Sequence, residues 1–330
     1  MSGPVASLRG LTKQFRVSGL GRRTLTAVAD VDLDVEQGEI LGIVGESGSG
    51  KTTLGRCLLG LTRPTAGTIT VNGAPVTAGD LALRRTVQPV FQDSFGSLDP
   101  RWSVRRSVRE ALDALGIGTP PERDGRVDVL LAEVGLGPEI ADRRPGTLSG
   151  GQRQRVGIAA ALAPQPRLLV ADEPVSALDV SVQAQILNLL AGLRRDHGLT
   201  IVFITHDLSV VRHLADRVAV MYLGRIIEIG TTAEIFGAPA HPYTKALLSA
   251  APVSDPSRRV VPRLLTGEIP SPIDPPSGCP FHPRCVEAFA PCPIERPVAR
   301  ETSPGHAAAC HLVGPGADHP QPAGASPVTA

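Results

Sequence analysis

The sequence predicts an α/β fold built on a buried, largely parallel β-sheet. Apolar runs of strand length occur at residues 41–44, 168–171 and 200–205, and longer helical patterns alternate with them. Strands that are apolar along their whole length are typical of parallel sheets, because helices cover both faces of such sheets. With 330 residues, 42% of them hydrophobic, the chain is long enough to bury this core without disulfide or metal support.

The remaining segments complete this plan in chain order. Residues 67–73 alternate apolar and polar side chains, which predicts a strand of a small antiparallel β subdomain. Residues 93–163 lack strand-like runs but show helical periodicity, which indicates an inserted helical subdomain. Of the 31 prolines, 15 lie between Pro262 and Pro327, a density that a helix or a central strand cannot carry. The predicted units are one domain over residues 1–255, a Cys/Pro-rich extension over 256–311 and a disordered tail over 312–330.

Charge and hydropathy exclude several classes of protein. Lys and Arg number 33 against 32 Asp and Glu, so the net charge of +1 supplies no field that would hold the chain on nucleic acid. Aromatic residues, at 3%, are too few for a base-stacking platform. No apolar stretch reaches 18 residues and the N-terminus lacks a secretory leader, so we expect a cytoplasmic chain with reduced thiols and no nucleic-acid partner.

A glycine-rich segment predicts a phosphate site. Residues 45–53, GESGSGKTT, follow the first apolar run and precede a helical pattern, which is the context of a P-loop. Glycines let backbone N–H groups turn toward phosphates, and the N-terminus of the following helix adds partial positive charge. Lys51 is expected to neutralise the β and γ oxygens of a nucleotide, and Thr52 to hold Mg²⁺. The predicted nucleotide-binding residues of this loop are Gly45, Ser47, Gly48, Gly50, Lys51, Thr52 and Thr53.

Two adjacent carboxylates, Asp172 and Glu173, follow the second apolar run. Sheets of α/β proteins bind their ligands at the carboxyl ends of the strands. We expect Asp172 to bind Mg²⁺ through water, and Glu173 to orient or deprotonate the attacking water, because in-line phosphoryl transfer needs a positioned nucleophile and charge neutralisation. With the P-loop, these carboxylates predict a catalytic site for phosphoryl transfer.

Residues 148–155, LSGGQRQR, place a serine and two glycines at a predicted helix start. Such a helix start can bind an anion through its exposed N–H groups and the serine hydroxyl. LSGGQ resembles the signature motif of ATP-binding cassette (ABC) ATPases, and the resemblance covers about residues 5–250. The resemblance implies a P-loop NTPase core and a head-to-tail dimer, in which this motif faces the P-loop of a second subunit and two ATP molecules are sandwiched. The signature residues it assigns to the ATP site are Ser149, Gly150, Gly151 and Gln152.

Four further landmarks match the ABC pattern, and their roles are implied by the resemblance. Gln92 matches the Q-loop glutamine, which touches Mg²⁺ and the attacking water. Asp179 ends the SALD sequence of the D-loop, which crosses the dimer interface. His206 matches the switch histidine, a catalytic residue that contacts the γ-phosphate. Phe15 stands where the family stacks an aromatic ring on adenine, and a place in the core is its alternative.

Two segments narrow the kind of transporter. Residues 240–252 and the cysteine-containing residues 277–285 resemble the C-terminal extension of ATPases that serve oligopeptide, dipeptide and nickel importers. Residues 91–101 resemble the second of the two paired ATPases of those systems. The resemblance implies two membrane permeases, a second homologous ATPase, an external substrate-binding protein, and a peripheral location at the cytoplasmic face of the membrane. His241, Pro242 and Tyr243 would pack the extension on the core, with a surface turn as the alternative.

The extension contains four of the five cysteines, and the fifth, Cys57, is expected in the core. By count, four cysteines suit a tetrahedral Zn²⁺ or an iron–sulfur cluster, and His282 or His311 could replace a ligand. The family resemblance implies a [4Fe–4S] cluster; zinc, or no metal, remains an alternative. The candidate ligands are Cys279, Cys285, Cys292 and Cys310.

The sequence thus predicts an ATPase subunit that couples ATP binding and hydrolysis to the uptake of peptides through partner permeases. The alternatives are a soluble ABC ATPase that acts on nucleic acid or in iron–sulfur assembly, and an importer of nickel or another non-peptide cargo. The near-neutral net charge of +1 disfavours a nucleic-acid role. The cargo stays open because substrate choice lies in the binding protein and the permeases.

Overall fold

The computed structural model describes residues 3–17, 23–77, 79–92, 96–250 and 267–313. Over these residues the chain forms the predicted α/β fold, with two β-sheets. The strands are β1 (Ala6–Arg16), β2 (Thr24–Val35), β3 (Ile40–Val44), β4 (Ala66–Val71), β5 (Ala74–Pro75), β6 (Val87–Val90), β7 (Leu168–Asp172), β8 (Thr200–Thr205), β9 (Arg217–Tyr222), β10 (Arg225–Thr231), β11 (Arg300–Ser303) and β12 (His306–Ala308). The helices are α1 (Lys51–Leu58), α2 (Leu81–Thr86), α3 (Val104–Ala114), α4 (Pro120–Glu133), α5 (Gly150–Leu162), α6 (Val180–His197), α7 (Leu208–Leu214), α8 (Thr232–Gly237) and α9 (Pro242–Ala250), with short 3₁₀ helices at Pro138–Ile140, Pro145–Thr147 and His282–Arg284.

The larger sheet contains five parallel strands in the order β9-β3-β8-β7-β6 within the described part of the chain. Strands β3 and β8 are buried at every position, which is why both appear in the sequence as uninterrupted apolar runs. The pairing of Val44 with Thr205, and of Asp172 with Ile204, brings the carboxyl ends of β3, β7 and β8 to one edge of the sheet. The residues that follow these strands therefore meet at that edge.

The smaller sheet has the order β2-β1-β4-β5, and the prediction of an antiparallel β unit near the N-terminus is confirmed. Residues of both sheets join one apolar cluster around Leu54, Cys57 and Leu58 of α1. These three side chains are fully buried, so the expectation that Cys57 is a core residue is confirmed. The buried side chains of α1 fix the position of this helix, and its first residues, from Lys51 on, are the last residues of the P-loop.

Helices α3, α4 and α5 pack against one another inside the region predicted as a helical subdomain. Val108 of α3, Leu130 of α4 and Val156 of α5 are completely buried in one apolar cluster. An ion pair between Arg109 and Asp124, with a distance of 3.0 Å, joins α3 to α4 at the surface. The buried contacts carry this packing, because ion pairs at exposed positions contribute little to stability.

The C-terminal extension adds two strands to the larger sheet. Strand β12 pairs with β10 on one side and with β11 on the other, with Ala308 opposite Glu228. The expectation that this proline-rich stretch cannot carry a central strand is therefore wrong. The prolines among its described residues lie outside the strands, and Pro304 occupies the turn between β11 and β12, where Gly305 has a φ of 81°.

Two of the predicted boundaries involve residues that the structure does not describe. The boundary near residue 255 lies within residues 251–266, and residues 314–330 of the predicted tail are also outside the described ranges. In the parts of the chain that are described, no helix is long and apolar enough to cross a lipid bilayer.

Candidate active site

The P-loop joins the end of β3 to the start of α1, and two of its glycines are required by close contacts. A Cβ atom at Gly45 would lie 2.2 Å from the carbonyl oxygen of Met221, and one at Gly50 would lie 2.1 Å from that of Ala27. Both glycines have positive φ angles, 154° and 103°. The loop is thus pressed between β9 and β2, and its shape depends on residues without side chains.

Lys51 lies inside this loop, and its side chain is almost fully buried. Its Nζ atom donates hydrogen bonds to the carbonyl oxygens of Gly45, at 2.7 Å, and Glu46, at 3.0 Å. Burial lowers the pKa of Lys51, while the carboxylates of Glu173 and Asp172 favour its charged form. The loop backbone therefore binds the ammonium group, and Glu173 and Asp172 act on it electrostatically.

Two of the three predicted magnesium ligands are in direct contact. The Thr52 hydroxyl, at the start of α1, donates a hydrogen bond of 3.1 Å to Oδ1 of Asp172, at the end of β7. Burial raises the pKa of Asp172, and Thr52 partly offsets this rise. Oxygen atoms of this kind are the ligands that Mg²⁺ prefers. Gln92 is exposed, directly before residues 93–95, which lie outside the described ranges, so its contact with Mg²⁺ stays a prediction.

Glu173 and His206 form the next pair at the same edge. Nδ1 of His206 and Oε1 of Glu173 are 2.9 Å apart. Glu173 has a φ of 48°, in the left-handed region that a residue with a side chain rarely adopts, and its N–H donates to the carbonyl oxygen of Ile204. Strain of about 1–3 kcal/mol is typical of such positions and is common at active sites. The carboxylate at this strained position is in contact with His206.

The signature motif forms the beginning of α5. The Ser149 hydroxyl accepts a hydrogen bond of 3.2 Å from Gln152 N–H, and the Gln152 side chain accepts one of 3.0 Å from Ser149 N–H. This reciprocal capping box satisfies two N–H groups of the helix end. At Gly151 a Cβ atom would lie 2.5 Å from Cγ1 of Val182 in α6, and at Gly150 one would lie 3.3 Å from Leu178. The glycines thus allow close packing of α5 on α6 and on the segment that precedes α6.

We expect Gly151→Ala to lower the free energy of unfolding by about 1–3 kcal/mol, because the new methyl group overpacks the contact with Val182. Gly157→Ala is a matched control in the same helix, since a Cβ atom there has no neighbour within 4 Å. The control should raise stability by roughly 0.5–1 kcal/mol. Urea unfolding of both variants checks this prediction, and equal stability of the two would contradict it.

Asp179 and Phe15 lie on two other elements. Asp179 caps α6, where its carboxylate accepts hydrogen bonds from Val182 N–H, at 3.0 Å, and from the Ser181 hydroxyl, at 2.7 Å, and these bonds lower its pKa. Phe15 of β1 is 41% exposed, and Nζ of Lys13 is 4.9 Å from its ring centroid. The alternative that Phe15 is a core residue is therefore wrong. Its stacking on adenine, and the contact of Asp179 across a dimer interface, stay predictions.

The structure adds contacts to this site that sequence patterns did not indicate. The Gln154 side chain, 2% exposed, donates a hydrogen bond of 3.4 Å to the carbonyl oxygen of Phe91 and so links α5 to the residue before Gln92. Arg284 in the extension forms an ion pair with Glu46 of the P-loop, with a closest distance of 2.7 Å. Gln154 follows the signature motif by two residues, so its position in the sequence gives a signal. No local sequence pattern relates Arg284 to Glu46.

The segment around His241 attaches the extension to this region. His241 and Tyr243 are buried, so the alternative of a surface turn is wrong. Tyr243 packs at a tilted angle against Tyr222 and edge-on against Phe281, with ring centroids 4.7 Å and 5.3 Å apart. Burial lowers the pKa of His241 to about 3, so this histidine is neutral at physiological pH. The aromatic cluster of Tyr222, Tyr243 and Phe281 therefore lies next to the P-loop.

The four cysteines of the extension lie near one another. Cys279 N–H donates a hydrogen bond of 2.8 Å to the carbonyl oxygen of Cys292. Burial raises the pKa of Cys285 to about 12 and that of Cys310 to about 11, and the negative charges of Cys279 and Glu287 add to both shifts. In the described ranges no three His, Cys, Asp or Glu side chains are arranged to hold a single metal ion.

Comparisons with known proteins agree with the fold and the site described above. The family described as ABC transporter matches residues 28–176, and the family described as oligopeptide/dipeptide transporter, C-terminal region, matches residues 227–292. The oligopeptide transport ATP-binding protein AppF of Bacillus subtilis is 47% identical over 93% of this chain and 97% of its own length.

Solved structures of ABC cassettes share this fold. A dimeric ATP-binding cassette in a post-hydrolysis state, bound to ADP and Pi, has a TM-score of 0.62 and 31% identity over 69% of this chain and 98% of its own. A cassette of Clostridium perfringens that is part of an ABC transporter complex has a TM-score of 0.63 and 30% identity over 72% of this chain and 92% of its own. The chain therefore belongs to the ATP-binding subunits of ABC transporters, in the group that carries the oligopeptide/dipeptide transporter C-terminal region.

Proposed function

We propose that this chain is the ATP-hydrolysing subunit of an ABC importer that takes up di- and oligopeptides through partner permeases. The observation that carries the peptide assignment is the extension, which matches the oligopeptide/dipeptide transporter C-terminal region over residues 227–292. The oligopeptide transport relative supports it, because the match covers 97% of that protein and so includes the extension as well as the cassette.

The proposed mechanism assigns one task to each group at the carboxyl edge of the larger sheet. Backbone N–H groups of the P-loop and the Lys51 ammonium bind the phosphates of ATP, and Thr52 and Asp172 hold Mg²⁺. When bound, Mg²⁺ neutralises charge on the β- and γ-phosphate oxygens. Glu173 orients the attacking water and accepts its proton, and His206, 2.9 Å from the carboxylate, keeps Glu173 in place and reaches the γ-phosphate.

A second subunit completes each ATP site in this proposal. Ser149 and the N–H groups at the start of α5 form an anion site on the surface, separate from the P-loop in sequence and located on a different helix. The dimeric cassette with bound ADP and Pi supports pairing of two cassettes. We propose that the pairing is head-to-tail, with α5 of one subunit closing the nucleotide site of the other. We propose that the second subunit is a homologous ATPase rather than a further copy of this chain.

The complex would sit at the cytoplasmic face of the membrane, with two permeases and an external binding protein. To test this, the tagged chain is expressed in its native host, membranes are solubilised gently, and co-purifying proteins are identified by mass spectrometry. Recovery of two polytopic permeases and a second ATPase would support the proposal. Recovery only from the soluble fraction, with nucleic acid or iron–sulfur assembly proteins attached, would overturn the transport assignment and leave the ATPase chemistry intact.

We also propose that the extension holds a [4Fe–4S] cluster through Cys279, Cys285, Cys292 and Cys310. These four thiolates would each bind one iron of the cluster, which would hold the proline-rich extension together. The proposal is supported by the grouping of these four cysteines in one extension, where Cys279 N–H donates a hydrogen bond to the carbonyl oxygen of Cys292 and three of the four side chains are buried. Two buried nitrogen atoms nearby, Nε2 of His241 and Nε of Arg284, have no partner among the described residues and could donate to its sulfides.

The cluster proposal predicts iron and acid-labile sulfide in protein purified without oxygen. Cys310→Ser should lose most of both, because three thiolates hold such a cluster less tightly than four. Metal and sulfide analysis of the two proteins checks this. Zinc without iron or sulfide in the anaerobic protein would contradict the proposal.

A further inference from the structure

The P-loop contains a carboxylate, Glu46, at a place where negative charge is unfavourable. Glu46 lies in the phosphate-binding loop next to Gly45, and a carboxylate near the phosphates of ATP repels them. Its side chain is only 21% exposed, so water screens this repulsion incompletely. A loop built to bind a polyanion therefore needs a compensating positive charge at this position.

Arg284 of the C-terminal extension supplies that charge. Its guanidinium donates two hydrogen bonds to Glu46, from Nη1 to Oε2 at 2.7 Å and from Nη2 to Oε1 at 3.0 Å. This bidentate geometry is the strongest kind of Arg–carboxylate pairing, and it fixes direction as well as charge. The Arg284 side chain is only 4% exposed, so a break of the pair would leave a buried charge without its partner.

The same residue of the P-loop is held at its backbone. Glu46 N–H donates a hydrogen bond of 3.0 Å to the hydroxyl of Tyr243, which is fully buried at the start of α9. The carbonyl oxygen of Glu46 accepts from Nζ of Lys51 at 3.0 Å. Side chain, N–H and carbonyl of Glu46 thus each have a fixed partner, and two of these three partners lie C-terminal to the last strand of the cassette proper, β10.

The surroundings of Arg284 make it a rigid anchor. Nη1 is 3.5 Å from the hydroxyl of Tyr222, and the guanidinium carbon is 5.9 Å from the centroid of that ring. Tyr222 packs edge-on against Phe281, with centroids 5.4 Å apart, and Phe281 precedes Arg284 in the same turn of chain. The backbone of this turn is held by its own hydrogen bonds, in which Arg284 N–H donates to the carbonyl oxygen of Phe281 at 3.0 Å.

We propose that Arg284, together with Tyr243, is a positioning residue for ATP binding, acting through Glu46. Arg284 neutralises the carboxylate of Glu46, and Arg284 and Tyr243 together hold the P-loop backbone in the shape that binds phosphates. This inference rests on the proposed ATPase function. It gives the extension a direct part in nucleotide affinity, in addition to any metal that it holds.

The test is the steady-state kinetics of ATP hydrolysis by the full-length chain, purified with the partners that it retains. Arg284→Gln should raise the KM for ATP about tenfold, with kcat within about twofold of wild type, since the reacting groups are not touched. The double variant Glu46→Gln/Arg284→Gln should return the KM to within about threefold of wild type, because it removes the uncompensated carboxylate as well. If Arg284→Gln does not fold, Tyr243→Phe removes a single oxygen atom and should raise the KM about threefold.

A matched control separates positioning from general loss of stability. Arg217 also pairs with a buried carboxylate, Glu39, at 3.2 Å, but at the opposite ends of β9 and β3 from the P-loop. Arg217→Gln should lower the melting temperature without changing the KM. The inference is overturned if Arg284→Gln folds and keeps the wild-type KM, or if the double variant shows the same KM as the single one.

Failure of this inference differs from failure of the proposed function. If the wild-type chain neither binds nor hydrolyses ATP, the proposed function itself is wrong. If the wild type hydrolyses ATP and Arg284→Gln folds with an unchanged KM, only the role of Arg284 and Glu46 is refuted.

Discussion

Replacement of Glu173 by Gln is expected to abolish ATP turnover and to leave ATP bound. The amide keeps the size of the side chain and can still hydrogen-bond His206, 2.9 Å away, but it cannot accept a proton from the attacking water. Loss of a general base typically costs about 100-fold to 10,000-fold in rate. Steady-state hydrolysis should therefore fall by at least that lower factor.

The measurement is kcat together with the nucleotide that the protein retains after gel filtration. Glu139→Gln, at an exposed carboxylate on the 3₁₀ helix Pro138–Ile140, is a control that should leave both unchanged. Unchanged hydrolysis in Glu173→Gln would show that another group accepts the proton. Loss of ATP binding instead of trapping would show that Glu173 holds the site together rather than serving the chemistry.

The second large effect is expected from Lys51→Met. The methionine side chain has similar length, but it removes the positive charge that the P-loop backbone surrounds and the hydrogen bonds that this charge donates to the carbonyl oxygens of Gly45 and Glu46. Removal of a buried charge of this kind costs roughly 2–5 kcal/mol. We expect the dissociation constant for ATP to rise by about 100-fold, which corresponds to about 2.7 kcal/mol.

Equilibrium binding of a fluorescent ATP analogue gives this constant directly. Lys245→Met is the matched control, because Lys245 in α9 lies 3.9 Å from Glu287 and outside the P-loop. Its affinity for ATP should equal that of the wild type. An affinity of Lys51→Met within threefold of the wild type would contradict the role assigned to the P-loop lysine.

The parts of the fold that the sequence predicted are those fixed by local chemistry. Strands β3 and β8 were predictable because burial on both faces requires unbroken apolar runs. The P-loop and the signature motif were predictable because glycine, lysine and a capping serine are required at fixed spacings within a few residues. The roles of Gln92 and Asp179 were drawn from the family resemblance, and they stay predictions.

The features that sequence reasoning missed depend on distant partners. Strand β6 contains Pro89, which counts against a strand, yet β6 lies at an edge of the sheet, where a missing N–H costs little. Strand β12 is only three residues long and gains its stability from β10, far away in the chain. The pairing of Arg284 with Glu46 spans 238 residues, and no periodicity in the sequence relates the two positions.

The most direct test of the whole account is peptide uptake by the native host. A strain that lacks this chain is supplied with an isotope-labelled mixture of di- to hexapeptides, and the intracellular label is followed over time. We predict that uptake of part of the mixture is lost, that the wild-type chain restores it, and that Glu173→Gln does not. Uptake of every peptide at the wild-type rate in the deletion strain would contradict the assignment of this ATPase to peptide import.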